Sequence, residues 1–359
     1  MLVCKDWTML ATEFLYESIL VDLYGIPSTV TLVAVLQSPG RGSRLAWWVK
    51  RVDMNSRTKG YVAIIQELCP NLRIFRMFSV DPNNHDHYLE HIPFLHPESH
   101  LTTLSVTPAT LSAILKAAPS TLDRWRFLTI IIEDFATGSG METCTSLPIL
   151  PPLPQLLSLT IVSLGWNSTA SFVPIESWSC PLLTHLSIHF WNEDDDVSRL
   201  VEHFGPQLTL FAFTATEPYI TPRILYSFLK AMPNLKELVT PQLSERGTPA
   251  DHGSLWECTH PKVEVLGFPI PTYQVDDRSA EYAQCAHLLF PKLRAMRITS
   301  AQKEYTAAYC RENPAKGKLK GLQSFARVLE GFGIVLEDPT GEDVRQYILE
   351  GRMTPTKSS

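Results

Sequence analysis

One short phrase recurs along this sequence and restricts its fold more than any other feature: a proline, one further residue, then a leucine or valine, with apolar residues three and usually five places later. The copies are Cys69-Pro70-Asn71-Leu72, Leu153-Pro154-Gln155-Leu156, Cys180-Pro181-Leu182-Leu183, Gly205-Pro206-Gln207-Leu208, Met232-Pro233-Asn234-Leu235, His260-Pro261-Lys262-Val263 and Phe290-Pro291-Lys292-Leu293. Counting from the closing Leu or Val, here the anchor, positions +3 and +5 hold Phe75 and Met77, Leu159 and Ile161, Leu186 and Ile188, Phe211 and Phe213, Leu266 and Phe268, and Met296 and Ile298. The Leu235 copy keeps Leu238 but has Thr240 at +5. Anchors 156, 183, 208, 235, 263 and 293 are spaced by 27, 25, 27, 28 and 30 residues.

Apolar residues at +3 and +5 predict a short strand with one buried face, because successive side chains of a strand point to opposite sides. Proline lacks an N–H and disfavours helix at the residue before it, so each phrase predicts the end of a helix at a turn. Helical periodicity does precede several copies: Tyr61 to Leu68, Leu111 to Ala117, Val197 to Phe204, Ile224 to Met232 and Ala280 to Leu289. Weaker copies fill the earlier sequence, with Val49, Val52 and Met54 in one and Leu101, Leu104 and Val106 in another. Around Leu122, Trp125 and Phe127 the apolar run continues to Ile132, which leaves the register there open.

A strand and a helix repeated at this period resemble the leucine-rich-repeat proteins. The resemblance implies an α/β fold, a leucine-rich-repeat-like solenoid with a curved parallel sheet and helices on its convex side. A doubly wound α/β domain also alternates helix and strand, but it does not require one phrase at every strand, and no Gly-rich phosphate loop follows a strand here. Phe135 to Pro152 and Ser244 to Thr259 are read as long loops between layers. Beyond Ile298 the pattern predicts a helix at Gly321 to Leu329, a strand at Gly333 to Leu336 and a closing helix at Gly341 to Leu349, as a terminal cap would need. The expected organisation is an N-terminal segment at 1–24, repeats at 25–316, a cap at 317–351 and a disordered tail at 352–359.

Composition narrows the partners. With 45% hydrophobic and 19% charged residues in 359, the chain can bury a large core. Its formal net charge of -6 gives no overall positive field, so neither nucleic acid nor an anionic membrane is an expected partner. Lys316, Lys318 and Lys320 read as a solvated loop. Seven scattered cysteines without a C-x-x-C pair predict reduced thiols in an intracellular compartment, cytosol or nucleus. Lys5 and Asp6 stand where a secretory signal needs an apolar core, and no apolar run approaches the roughly 20 residues of a membrane span.

Chemistry-bearing clusters are sparse. His85, His87, His91, His96 and His100 lie close in sequence, and His87 with His91 has zinc-binding helical spacing, but Pro82, Pro93 and Pro97 break the segment, so no metal is expected. Glu193, Asp194, Asp195 and Asp196 precede a helix, where carboxylates complement the N-terminal dipole. No nucleophile-elbow, Cys-His-Asn or His-Glu-x-x-His pattern is present, so neither an enzyme nor a cofactor is expected; an unrecognised hydrolase would need a clustered nucleophile and base. The candidate functional residues are instead those on the strand face away from the core, where side chains stay exposed: Ile74, Arg76 and Phe78; His185, Ser187 and His189 with Trp191 beyond; Ala295, Arg297 and Thr299. Exposed aromatic, His and Arg side chains there would serve as hot spots for a target protein, while Phe78 and Trp191 equally fit as covers for neighbouring loops.

At the N-terminus, Val3, Trp7, Leu10 and Phe14 share one helical face, with Ala11 and Leu15 beside it, and that face must pack either on the first repeat or on a partner. Leu2-Val3-Cys4-Lys5, Trp7, Leu10-Ala11, Leu15-Tyr16 and Ile19 resemble the second half of an F-box. Leu32 to Met54 is similar to the connection that follows the box in fungal F-box proteins with leucine-rich-repeat-like tails. The resemblance implies a substrate receptor of a Skp1-cullin-F-box ubiquitin ligase, in which Leu2, Val3, Cys4 and Trp7 contact the Skp1-like adaptor and the repeats hold an unknown target. The opening Leu-Pro phrase and first helix of the box have no counterpart before Met1, so the expectation divides between a chain truncated at its start and a repeat scaffold that has lost adaptor binding.

Overall fold

The computed structural model describes residues 18–20, 26–38, 41–55, 64–65, 68–78, 102–106, 111–112, 115, 119–132, 149, 151–163, 177–191, 195–215, 219–220, 222–240, 242–243, 259–268, 283–299 and 319–349. The chain divides into two compact units, Met1–Leu183 and Thr184–Ser359.

The first unit carries strand β1 (Ser18–Leu20), helices α1 (Ile26–Gln37) and α2 (Arg41–Trp48), and strands β2 (Arg51–Asn55), β3 (Ile74–Phe78), β4 (Thr103–Val106), β5 (Phe127–Ile132) and β6 (Ser158–Ser163). Each strand pairs in parallel with the next, in chain order. The register aligns the +3 positions: Ile19, Val52, Phe75, Leu104, Leu128 and Leu159 are successive Cα partners. Ser18–Leu20, read from sequence as part of the N-terminal segment, is therefore the first strand of the sheet.

The second unit begins with β7 (His185–Trp191), α3 (Asp195–Phe204), β8 (Leu210–Ala215) and β9 (Tyr219–Ile220). It continues with α4 (Pro222–Ala231), β10 (Glu237–Val239), β11 (Gln242–Leu243), β12 (Val265–Phe268), β13 (Ala295–Ile298), α5 (Leu319–Gly331), β14 (Val335–Glu337) and α6 (Arg345–Leu349). Residues 283–289 are also helical. Strands β7, β8, β10, β12, β13 and β14 form a parallel sheet in that order, aligning Leu186, Phe211, Leu238, Leu266, Met296 and Leu336. Strands β9 and β11 form a separate parallel pair.

The recurring phrase is a hydrogen-bonded turn. The N–H of Leu72 donates to the carbonyl of Cys69, and the same bond runs from Leu156 to Leu153, Leu183 to Cys180, Leu208 to Gly205, Leu235 to Met232 and Leu293 to Phe290. Proline then occupies the second place of the turn, where its fixed φ is the one required and its missing N–H is not needed. Immediately after the turn, two N–H groups meet one carbonyl of the preceding repeat. Lys50 accepts from Arg73 and Ile74, Thr102 from Arg126 and Phe127, and Arg126 from Leu157 and Ser158. In the second unit Thr184, Thr209, Lys236 and Glu264 accept the equivalent pairs.

This pattern resolves the register left open near Leu122. Trp125 donates to Leu122 as an anchor does, Asp123 stands where other copies have proline, and Leu128, Ile130 and Ile132 face the core. Phe127, at +2, faces the other way and is exposed.

The anchors and +3 residues, among them Val49, Leu156, Leu159, Leu186, Leu208, Leu266 and Leu336, are buried. In the second unit helices cover this leucine face. Phe228 of α4 meets Phe211 and Phe213 of β8 edge-on at 5.5 and 5.8 Å, and Phe325 of α5 meets Phe268 of β12 at 5.5 Å. Burying side chains of this size stabilises by about 1.5–3 kcal/mol each.

The expected closing helix at Gly341 to Leu349 is corrected to Arg345–Leu349. Gly341 has φ +88, a left-handed conformation incompatible with the start of a helix, and Asp343 forms an antiparallel bridge to Glu337. The buried Asp338 holds this turn together, accepting through Oδ1 from the Thr340 N–H (2.8 Å), the Thr340 hydroxyl (2.6 Å) and the Glu342 N–H (3.0 Å).

Position −3 of the anchors lies against the next repeat's backbone: the N–H of Leu153 donates to the Ser179 carbonyl and that of His260 to the Leu289 carbonyl, both at 2.8 Å. At Gly205 an added Cβ would collide with the carbonyl oxygen of Ala231, a backbone atom that cannot step aside. Gly205→Ala should therefore cost about 2–3 kcal/mol of stability in urea unfolding. Gly331→Ala, at a helical site with open space around it, should cost nothing.

Candidate functional site

The +2 and +4 residues form two rows per unit on the face opposite the leucines. In the first unit Ser18, Arg51, Ile74, Thr103, Phe127 and Ser158 make one row, and Leu20, Asp53, Arg76, Ser105, Thr129 and Thr160 the other. In the second they are His185, Leu210, Glu237, Val265, Ala295 and Val335, then Ser187, Ala212, Val239, Gly267, Arg297 and Glu337.

The expectation that side chains stay exposed across this face is corrected. Asp53, Thr103, Ser105, Ala212, Val265, Gly267, Ala295 and Glu337 are buried. In-register strands stand about 4.8 Å apart, so a short side chain is shaded by longer neighbours in its row. Ser18, at the first strand, and Phe127, 45% exposed between Thr103 and Ser158, are the exposed members among the described side chains of these rows. Sequence reasoning missed Phe127 because Asp123 replaces the proline that marks the other copies. The run Leu128, Ile130, Ile132 was the available signal.

Arg297 is committed to its own fold. Its Nε and NH2 donate to Glu337 Oε2 at 3.0 and 2.8 Å, and NH1 reaches across β12 to Glu237 Oε1. The turn at Gly341 stands behind the pair, with an added Cβ there lying 3.5 Å from Arg297 NH2. The residue predicted as a partner contact thus ties β10 and β13 to β14 of the cap.

On β7, His185 is half-buried with Nδ1 2.8 Å from the Thr184 hydroxyl, and Ser187 is also half-buried. Burial holds His189 below the usual histidine range. Trp191 closes β7 after a register shift that leaves Phe190 as an extra residue, a bulge that redirects the strand end. Ile74 is half-buried at the start of β3, and Thr299, just past β13, donates its N–H to the Phe268 carbonyl at 2.9 Å. Arg76 and Phe78 keep their predicted strand positions, opposite Asp53 and Asn55, but their side chains lie outside the described residues, as does that of Trp191.

Leu2, Val3, Cys4 and Trp7 lie outside the described residues, as do His85, His87, His91, His96 and His100 and the acidic pair Glu193 and Asp194. Asp195 opens α3. Among the described residues no group of three or more His, Cys, Asp and Glu side chains is placed to hold a metal ion, and no helix is long and apolar enough to cross a membrane.

Two groups at position −3 deserve a chemical reading. Burial pushes the thiols of Cys69 and Cys180 up to about 12, so both stay protonated and serve as packing groups. His260 is buried: the Lys262 N–H donates to its Nδ1 at 3.4 Å, which leaves the proton on Nε2, donated to the Met232 carbonyl at 2.9 Å. Burial lowers its pKa, the bond to Met232 works against this, and the Lys262 charge adds to the lowering.

No protein-family model matches the chain, and no curated protein matches it. Among solved structures it is similar to the leucine-rich repeat-containing protein LegL7 from Legionella pneumophila, with a TM-score of 0.42 and 12% identity over 94% of this chain and 99% of that one.

His189 and His260 are held neutral in the folded state, whereas in the unfolded chain each takes up a proton near 6.5. The unfolded state therefore binds more protons below that pH, so their contribution to stability is present above about pH 6.5 and is lost as pH falls. The melting temperature should drop between pH 7 and 5.5, and His189→Gln with His260→Gln should flatten that slope; an unchanged slope would remove both histidines as its cause.

Arg297→Ala would leave the buried Glu337 facing Glu237 without their shared cation. It should cost about 2 kcal/mol in denaturant unfolding, less than a fully buried pair because Arg297 is partly exposed. Arg297→Lys should restore only part, since one ammonium cannot reproduce the guanidinium fork.

Proposed function

We propose that the chain is a substrate-recognition subunit of a Skp1-cullin-F-box type ubiquitin ligase. Its repeats hold a target protein and its N-terminal F-box-like segment binds a Skp1-like adaptor; it has no catalysis of its own and works inside the cell. One observation carries the binding half of this reading. The backbone pattern recurs from layer to layer, with two N–H groups on the carbonyls of Lys50, Thr102, Arg126, Thr184, Thr209, Lys236 and Glu264 and one on those of Arg73 and Arg294, while the residues opposite the leucines change from Arg51 to Ile74, Thr103 and Phe127, and from His185 to Leu210 and Glu237. A face whose backbone is set and whose side chains vary can be fitted to a protein partner without disturbing the core. Exposed Phe127, between Thr103 and Ser158 in its row, has the character of a hot-spot anchor.

The ligase half rests on the resemblance of residues 2–19 to an F-box. Co-expression with Skp1, with any upstream coding sequence included, should give co-purification. Combined substitution of Leu2, Val3, Cys4 and Trp7 by alanine should weaken it by at least about thirtyfold, the equivalent of one hot spot. An intact chain that retains a target but never Skp1 would move the protein to the second reading, a leucine-rich-repeat-like scaffold without adaptor binding. The same varied face supports that reading equally.

A further inference from the structure

A helix on the outside of a repeat fold turns polar and charged residues to water. Helix α3 does so with Arg199, Glu202 and His203, and α5 with Ser324, Arg327 and Glu330. Helix α1 departs from this rule. None of its 12 residues is charged, Val33 and Leu36 take its buried side, and the other side shows Val30, Thr31, Ala34 and Val35. Val30 is 45% exposed and Val35 36%. These four positions, one and four apart, make a continuous stripe at 3.6 residues per turn. A helix apolar on both sides is suited to burial on both sides. Helix α2, packed against α1, adds Trp47, 59% exposed, with its carbonyl held by the Asn71 side-chain amide at 2.8 Å.

Residues 1–17 lie outside the described residues, and their sequence carries a counterpart to this stripe: the helical face of Val3, Trp7, Leu10 and Phe14, with Ala11 and Leu15 beside it. Topology brings the two together. Ser18 opens β1 opposite Arg51 and the strands are parallel, so the chain before Ser18 reaches the sheet at the end where α2 leads into β2. Because α1 packs on α2, that chain arrives beside the α1–α2 pair. The lengths agree as well, since Val3 to Phe14 and Ile26 to Gln37 are each 12 residues, about 18 Å as helix.

A second copy of the chain is the weaker occupant. Leu15 and Ile26 are joined by residues 16–25, and so short a tether holds the segment at an effective concentration on the order of millimolar, far above that of another copy in a dilute solution.

We propose that Leu10, Ala11, Phe14 and Leu15 dock on the Val30, Ala34 and Val35 stripe of α1 and anchor the F-box-like segment to the first layer of the repeats. Leu2, Val3, Cys4 and Trp7 belong to the other half of that segment, so docking leaves the residues assigned to the adaptor available to it. The anchored segment fixes where an adaptor sits relative to whatever the repeats hold. The docking itself does not depend on an adaptor.

Amide hydrogen exchange of the full purified chain, followed peptide by peptide in a mass spectrometer, tests this. Residues 8–15 should be protected, and Val30→Glu with Val35→Glu should raise their exchange at least about tenfold. Glutamate is a better helix former than valine, so α1 itself survives the change. Tyr226→Glu with Leu288→Glu, at apolar positions of similar exposure in the second unit, should leave exchange at 8–15 within about twofold. Should the Val30 and Val35 changes unfold the chain, Leu10→Glu with Phe14→Glu carries the comparison and should raise exchange across 30–36 by at least about tenfold. Free exchange of residues 8–15 in the unaltered chain, protection indifferent to the first-unit variants, or protection that grows with protein concentration, as a second copy would produce, would each overturn the proposal. A chain that binds Skp1 while residues 8–15 exchange freely would sink this inference and leave the proposed function standing. Protection lost with Val30→Glu and Val35→Glu in a chain that never binds Skp1 would support this inference and move the protein to the scaffold reading.

Discussion

In most of the described layers two backbone N–H groups converge on a single carbonyl of the repeat before, and the rest of the fold depends on that bond pair. Because Lys50 accepts from Arg73 and Ile74, and Lys236 from Glu264 and Val265, the first strand residue of these layers is fixed against its predecessor. Parallel pairing then carries the register along the strand. A one-residue slip would exchange the leucine face for the opposite one, so the hydrophobic effect and the shared carbonyl specify the same alignment. The pattern is the same in both units, although the loops between strands differ in length.

The turn that precedes this carbonyl sets what each side chain must tolerate. Position −3 is filled by Cys69, Leu153, Cys180, Gly205, Met232, His260 and Phe290, all buried although they range from glycine to an imidazole. Gly205 is there because a backbone carbonyl leaves no space for a Cβ. His260 is tolerated because its two ring nitrogens find a donor and an acceptor within reach, and its neutrality follows from the same burial. Asn71 and Asn234 use the turn differently. Each donates its side-chain amide, at 2.8 Å, to a carbonyl of the preceding repeat, Trp47 in one unit and Pro206 in the other.

Electrostatics separate the two units. In the second, Arg297 and Arg294 are shared among Glu237, Glu337 and Glu264 and serve the junction with the cap. In the first, the same repeat position collects Lys50, Arg73 and Arg126 in one row. Stacking concentrates what composition dilutes: residues more than twenty places apart in sequence become neighbours about 4.8 Å apart.

The sequence by itself determined the repeat, its strands and their buried side, because the Pro-x-Leu turn and the +3 and +5 residues are local and the same physics acts in every copy. It also foretold α3, α4 and α5 to within a few residues through their helical periodicity. Only the tertiary structure decided that Trp125 is an anchor, since its turn lacks the proline and is identified by where its N–H donates. Tertiary structure alone decided the fate of Arg297, whose partners lie 40 and 60 residues away and are brought within reach by strand order. It likewise exposed Phe127 and buried Ala295, two outcomes for one repeat position. Exposure on a sheet face depends on the side chains of adjacent strands, and that adjacency exists only once the repeats are stacked.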